Sequence, residues 1–131
     1  MSTMRSTTRP FARVIALLAA AFATVFALAA CSSAEPIEVG SDTVVVDVRT
    51  AGEYASGHLD GAVNIDVQSA SFDAAIAELD PEGSYVVYCR SGNRSAAAID
   101  RMEAAGFTDL VNAGGLQDAA DATGIEIVTG P

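Results

Sequence analysis

The stretch from Tyr85 to Ser95 reads YVVYCRSGNRS and joins a predicted strand to a predicted helix. Its first four residues are aromatic or β-branched, as in a buried strand, and this run stops at Cys89. Small, polar and cationic residues follow before the chain becomes alanine-rich. In α/β sheets, ligands bind where strands pass into helices. Cys89 is therefore either the buried end of a core strand or a thiol that meets a substrate.

The same alternation of strand and helix extends through the chain. Strands are predicted over residues 37–39, 43–48, 61–65, 84–88, 107–111 and 125–128, the last closing the sheet. Helices are predicted over residues 51–55, 72–79, 95–105 and 116–122. Thr50 with Glu53 and Ser71 are the expected N-caps of the first two helices, and Gly57 is expected to end the first. The predicted fold class is α/β, with a largely parallel central sheet flanked by helices on both faces.

The N-terminal segment has the pattern of an export signal. It contains three arginines and no acid before a run of 17 uncharged residues, 14–30, which ends in small residues before Cys31. This pattern resembles a bacterial lipobox, which implies cleavage before Cys31 and lipidation of its thiol and amine. We predict a lipoprotein signal peptide at 1–30, a lipid-anchored tether at 31–40 and a folded domain at 41–131. The expected location is the extracytoplasmic face of the cell membrane; an uncleaved anchor helix and a secreted product are the alternatives.

Charge and cysteine content restrict the class of function. Without residues 1–30 the chain has four arginines against all 17 acidic residues, a formal charge of −13. A body this acidic is not expected to bind nucleic acid by counterion release, and membrane attachment is expected to depend on lipid. If Cys31 is lipidated, Cys89 has no disulfide partner in the chain, although the compartment is oxidising. No cofactor and no metal site are predicted.

The loop after Cys89 has the composition of an anion-binding cradle. Gly92 permits a tight turn, and the first amides of the following helix have no partners within that helix. Arg90 and Arg94 should help to lower the pKa of the Cys89 thiol and should attract anions. The alternative is a small apolar side chain buried at a strand end. We predict that Cys89 is catalytic and that the substrate-binding residues are Arg90, Ser91, Gly92, Asn93, Arg94 and Ser95.

Two segments resemble signatures of the single-domain rhodanese family, in the family's order. They are residues 47–65, DVRTAGEYASGHLDGAVNI, and residues 88–95, YCRSGNRS, within a likeness that extends from about residue 44 to 128. The resemblance implies a sulfurtransferase in which Cys89 forms a persulfide and Arg94 binds an anion. It implies a small sulfur-containing anion such as thiosulfate as the donor, and cyanide or a thiol as the acceptor. It assigns structural support of the loop to Asp47, Arg49, Glu53 and His58. Asp47 ends an otherwise apolar strand and is expected to pair with a cation, for which Arg49 is the candidate.

The chain departs from the family pattern in two places. A tryptophan often follows the family's Gly-Gly pair by four residues, where this chain has Ala119, and the usual opening helix is reduced or missing.

Two other functions stay open. Related phosphatases and arsenate reductases use a cysteine–arginine loop with five intervening residues, whereas four separate Cys89 from Arg94. A binding module is the other alternative, in which Cys89 carries sulfur to, or reports redox state to, an envelope thiol-redox partner without free turnover.

Overall fold

The computed structural model describes residues 34–131; the predicted signal peptide and Cys31 lie outside the described residues. The strands are β1 (Thr43–Asp47), β2 (His58–Leu59), β3 (Val63–Asn64), β4 (Ser84–Cys89), β5 (Asp109–Gly115) and β6 (Ile127–Val128). The helices are α1 (Ala51–Ser56), α2 (Phe72–Ile76), α3 (Asn93–Ala104) and α4 (Leu116–Thr123). None of these helices is long and apolar enough to cross a membrane.

The main sheet has four strands in the order β3-β1-β4-β5, and every neighbouring pair is parallel. This confirms the predicted α/β class with a largely parallel sheet. The prediction that residues 125–128 close this sheet is wrong, because β6 pairs antiparallel with β2 in a separate two-stranded sheet. Residues 37–39 form no strand; Ile37 instead donates its N–H to the carbonyl of Ala122 at 2.8 Å.

The two faces of the main sheet pack against different helices. Val87 and Cys89 lie on the face that packs with α2 and α3, in one apolar cluster with Phe72 and Met102. Tyr88, the residue between them, belongs to the cluster on the opposite face, which includes α4. Alternation along β4 therefore separates the two cores and directs Cys89 towards α3.

Helix ends follow the sequence in part. Thr50 and Glu53 form the predicted capping box of α1, and Gly57 ends that helix. Ser71 is the N-cap residue of α2 as predicted, although its side chain makes no capping hydrogen bond. The predicted end of this helix is wrong, because α2 ends at Ile76 instead of residue 79. Helix α3 begins at residue 93, two positions earlier than predicted, because Gly92 takes a positive φ of 92° and turns the chain at the end of the loop.

Candidate active site

Cys89 is the last residue of β4, which lies between β1 and β5 in the main sheet. Its side chain is fully buried, with 0% exposure. The backbone N–H of Gly92 donates to Cys89 Sγ at 3.0 Å, and Ser95 Oγ lies 3.5 Å from the same sulfur. The strand thus holds the thiol beneath a turn whose hydrogen-bond donors converge on it.

The environment of Cys89 favours the thiolate. Burial raises the pKa of the thiol, but hydrogen bonds from the Ser95 hydroxyl and from the amides of Ser95, Ser91 and Gly92 lower it, and the net pKa is lowered. Donors fixed around the sulfur stabilise the charged form more than the neutral one. A lowered pKa increases the fraction of nucleophilic thiolate at neutral pH.

Arg94, in the first turn of α3, is held by Glu53 of α1. Its Nη1 and Nη2 donate to Glu53 Oε2 and Oε1, each at 2.8 Å. The hydrogen bond from Arg94 is the main cause that lowers the pKa of Glu53 to about 2. Glu53 also accepts from the Thr50 backbone N–H at 3.1 Å. One carboxylate therefore joins the start of α1 to the helix that follows the Cys89 loop, and the anion-binding role of Arg94 stays a prediction.

Asp47 and Arg49 form the buried ion pair that the sequence predicted. Arg49 Nη2 lies 2.5 Å from Asp47 Oδ2, and it also donates to the Gly57 carbonyl at 2.6 Å. The Asn64 amide donates to the carbonyls of both residues, at 3.1 and 2.8 Å. These contacts fix the segment between β1 and α1, from which Glu53 reaches Arg94.

His58 lies in β2 with 5% exposure. Its Nδ1 is 2.9 Å from the Tyr54 carbonyl oxygen, to which it donates because a carbonyl can only accept. The imidazole stacks on the Tyr54 ring with a centroid distance of 3.6 Å and an interplanar angle of 11°. These contacts fit the structural support that the family resemblance implies.

The remaining predicted substrate-binding residues lie on the loop itself. Arg90, Ser91 and Asn93 are exposed, whereas Gly92 is partly buried and Ser95 fully buried. Arg90 makes no salt bridge with any other residue in the range 34–131. Its charge is therefore available to an approaching anion, unlike that of Arg94.

The end of β5 closes the site from the other side. A Cβ atom on Gly115 would lie 2.5 Å from the Arg90 carbonyl oxygen, so only glycine fits there without a shift. Asn112 Nδ2 donates to the Gly92 carbonyl at 3.2 Å, and Asn112 Oδ1 accepts from Gly114 N–H at 2.9 Å. Sequence reasoning missed Asn112; its position just before the Gly-Gly pair is the signal that could have indicated it.

The described residues contain no group of three or more His, Cys, Asp or Glu side chains that could hold a metal ion. What the site offers is a buried thiol under a cradle of amides, one hydroxyl donor and two arginines. This arrangement can stabilise a thiolate and a second negative atom next to it.

The chain is similar to known proteins over most of the described range. The family model for the rhodanese-like domain matches residues 34–122. Thiosulfate sulfurtransferase PspE of Escherichia coli (strain K12) is 36% identical over 75 residues, which are 57% of this chain and 72% of PspE. The probable adenylyltransferase/sulfurtransferase MoeZ of Mycobacterium tuberculosis (strain H37Rv) is 33% identical over 76 residues, 58% of this chain and 19% of MoeZ. A solved structure of rhodanese with anions from E. coli is 33% identical with a TM-score of 0.57, covering 67% of this chain and 99% of that one.

Proposed function

The chain belongs to the rhodanese-like domain family as a rhodanese-type sulfurtransferase, and we propose that Cys89 carries the transferred sulfur as a persulfide. The observation that carries the proposal is the position of Cys89 Sγ, 3.0 Å from the Gly92 N–H and 3.5 Å from Ser95 Oγ. Hydrogen bonds at these positions lower the pKa of the thiol despite burial. A thiolate held in this way is the nucleophile that sulfur transfer needs.

The reaction has two displacement steps. The Cys89 thiolate attacks the outer sulfur of thiosulfate. A new sulfur–sulfur bond joins Sγ to that outer sulfur and makes the persulfide, while sulfite leaves with the electron pair of the broken sulfur–sulfur bond. Cyanide or a thiolate then attacks the outer sulfur of the persulfide. Thiocyanate or a new persulfide leaves, and Cys89 returns as a thiolate. Loop amides and the Ser95 hydroxyl stabilise the negative charge in the starting and final states.

The two arginines have different roles in the proposal. Arg90 is exposed and forms no salt bridge within residues 34–131, so it attracts the anionic donor. Arg94 shares its charge with Glu53 through two 2.8 Å hydrogen bonds, which leaves less of its charge for the donor. Arg94 therefore both orients the helix that carries Ser95 and assists in anion binding.

Intact mass measurement after incubation with thiosulfate tests the proposal. The wild type should gain one sulfur atom and lose it again on treatment with cyanide. Cys89→Ala should gain none, whereas Cys31→Ser, the matched control for the second cysteine of the chain, should gain one. Retention of thiosulfate:cyanide sulfur transfer by Cys89→Ala would refute the assignment.

Turnover separates an enzyme from a carrier. Repeated transfer to cyanide with ping-pong kinetics is expected for the enzyme, whereas one transfer per chain, completed only by an envelope protein thiol, would indicate a carrier or sensor.

An aryl phosphate in a parallel assay tests the phosphatase alternative. We expect no hydrolysis, because four residues between Cys89 and Arg94 make a smaller ring than five.

We also propose that the chain is exported and anchored to the extracytoplasmic face of the membrane by lipid on Cys31. The arginines before an uncharged run, and the small residues before Cys31, support this location. Labelling of cells with a fatty-acid analogue should mark the wild type but not Cys31→Ser. Equal labelling of both chains would contradict the proposal.

A further inference from the structure

The side chain of Asn112 joins three parts of the site. Its Nδ2 donates to the Gly92 carbonyl at 3.2 Å, and its Oδ1 accepts from Gly114 N–H at 2.9 Å and lies 2.7 Å from Ser95 Oγ. An N–H needs an acceptor and a carbonyl needs a donor, so these partners fix which way the amide faces. Asn112 therefore presents an oxygen, not a nitrogen, to the Ser95 hydroxyl.

The Ser95 hydroxyl has one proton and three neighbouring acceptors. They are Asn112 Oδ1 at 2.7 Å, the Gly92 carbonyl at 2.9 Å and Cys89 Sγ at 3.5 Å. Both oxygen acceptors have other donors: Gly92 accepts from Ala96 N–H at 3.1 Å as well as from Asn112, and Asn112 accepts from the Gly114 amide. The hydroxyl proton can thus turn to the sulfur without leaving a buried acceptor unpaired.

We propose that Asn112 is a positioning residue for the chemistry of Cys89, holding the Gly92 turn and the Ser95 hydroxyl so that both donate to the thiolate. When Cys89 is a thiol, its S–H donates to Ser95 Oγ, and Ser95 donates to Asn112 Oδ1. When the thiol loses its proton to water, the Ser95 O–H turns to Sγ. The S–H bond breaks, the proton forms an O–H bond of hydronium, and no other covalent bond changes. The role in sulfur transfer rests on the proposed function of Cys89.

A β-bulge lies between β4 and β5 directly after Asn112. Val87 pairs with Asn112 and Cys89 with Gly115, so β5 has one more residue than β4 over this interval. Such a bulge changes the direction of side chains near it. Asn112 is the last residue of β5 in register with β4 before the bulge, and the extra residue lies between Asn112 and Gly115, which approaches the Arg90 carbonyl of the loop.

Several charged groups surround the site, and Asn112 is neutral among them. Arg94 interacts electrostatically with Cys89, Glu53 and Asp66. Arg90 belongs to the loop, and Asp118 of α4 accepts from the Gly115 amide at 3.2 Å. Asp47 and Arg49 on the neighbouring strand neutralise each other in their buried pair. A carboxylate at position 112 would add a negative charge beside the Ser95 hydroxyl, where the neutral side-chain amide of Asn112 now lies.

The pH dependence of iodoacetamide alkylation tests the proposal in the full chain with Cys31→Ser, in which Cys89 is the remaining cysteine. Asn112→Asp should move the midpoint of the profile to higher pH. Its rate at pH 7, relative to its own plateau at high pH, should fall about fivefold to tenfold. Asn112→Ala should shift the midpoint in the same direction. The matched control is Gln117→Ala, which removes an exposed amide whose one side-chain partner within residues 34–131 is Asp121, at 3.0 Å, and it should leave the profile unchanged.

Profiles of Asn112→Asp and Asn112→Ala that superpose on the control would overturn the proposal. If Asn112→Ala fails to fold, as judged by circular dichroism, Asn112→Asp decides, because it keeps the size of the side chain and the Oδ1 atom. Failure of the proposed function looks different: Cys89 of the wild type would alkylate with a lowered midpoint and yet gain no sulfur from thiosulfate.

Discussion

Replacing Gly115 with alanine should displace the loop that follows Cys89. The added Cβ would lie 2.5 Å from the carbonyl oxygen and 3.2 Å from the carbonyl carbon of Arg90. Close contacts between carbon and a carbonyl oxygen are normally about 3.3 Å or longer, so the two backbones must separate by about 0.8 Å. The φ of Gly115 is −81°, which alanine adopts freely, so the effect is purely steric.

The magnitude follows from the nature of the neighbour. A backbone carbonyl cannot rotate away as a flexible side chain can, and overpacking of this kind costs about 1–3 kcal/mol in the free energy of unfolding. For a domain of this size each kcal/mol lowers Tm by roughly 4–8 °C. Because Arg90 follows Cys89 directly, the same shift should weaken the hydrogen bonds to Sγ and slow sulfur transfer.

Thermal unfolding by circular dichroism and the thiosulfate:cyanide assay check this prediction. The matched control is Gly52→Ala in α1, where a Cβ would meet no atom within 4 Å. This control should raise stability by about 0.5–1 kcal/mol, because alanine favours helix, and leave the transfer rate unchanged. A Gly115→Ala protein as stable and as active as Gly52→Ala would refute the steric reasoning.

Three further substitutions test other contacts. Glu53→Gln should lower the free energy of unfolding at pH 7 by about 1–2 kcal/mol, since it removes the negative charge and leaves one acceptor oxygen for the two Arg94 donors. The pKa of Glu53 is lowered from 4.5 to about 2, so its stabilisation is complete above the unfolded pKa and is lost as the pH falls through the folded one. Urea titrations should show the difference from wild type shrinking between these pH values; a constant difference would contradict the pairing. Tyr88→Phe should cost about 1–3 kcal/mol, because the Leu59 N–H, which now donates to the Tyr88 hydroxyl at 3.0 Å, would lose its acceptor in the core; an unchanged urea midpoint would argue against that bond. Met102→Ala, at a side chain with 0% exposure, should cost about 2–5 kcal/mol in the same titration and leave the alkylation midpoint of Cys89 unchanged.

Local patterns in the sequence predicted most of the fold. The capping box of α1 needs only Thr50 and Glu53, three residues apart, and the sequence alone identifies it. The pairing of β6 with β2 depends instead on contacts between distant parts of the chain, as between His58 and Val128, and no local pattern specifies it. Helix α2 ends early for a similar reason: Leu79 packs on the core from a turn, so an apolar periodicity continues beyond the helix.

The site was predictable to a different extent for each residue. Asp47 and Arg49 lie two positions apart, so charge and spacing were enough to predict their pairing. Glu53 and Arg94 were both recognised as part of the site, but their bond spans 41 positions, and only the packing of α1 near α3 brings them together. Asn112 contacts Gly92 and Ser95, which lie 20 and 17 positions away in the sequence, and no local pattern specifies these contacts.

The complete burial of Cys89 affects how an acceptor molecule distinguishes the free thiol from the persulfide. Sγ is fully buried in the apolar cluster of α2 and α3, and the Gly92 N–H of the loop lies against it at 3.0 Å. A sulfur–sulfur bond is about 2 Å long, so the added sulfur would lie about 2 Å from Sγ. On the proposed mechanism, the outer sulfur of the persulfide lies nearer the surface than Sγ itself. An acceptor therefore contacts the outer sulfur of the persulfide more readily than the free thiol, so it can distinguish the protein that holds a sulfur atom from the protein that does not.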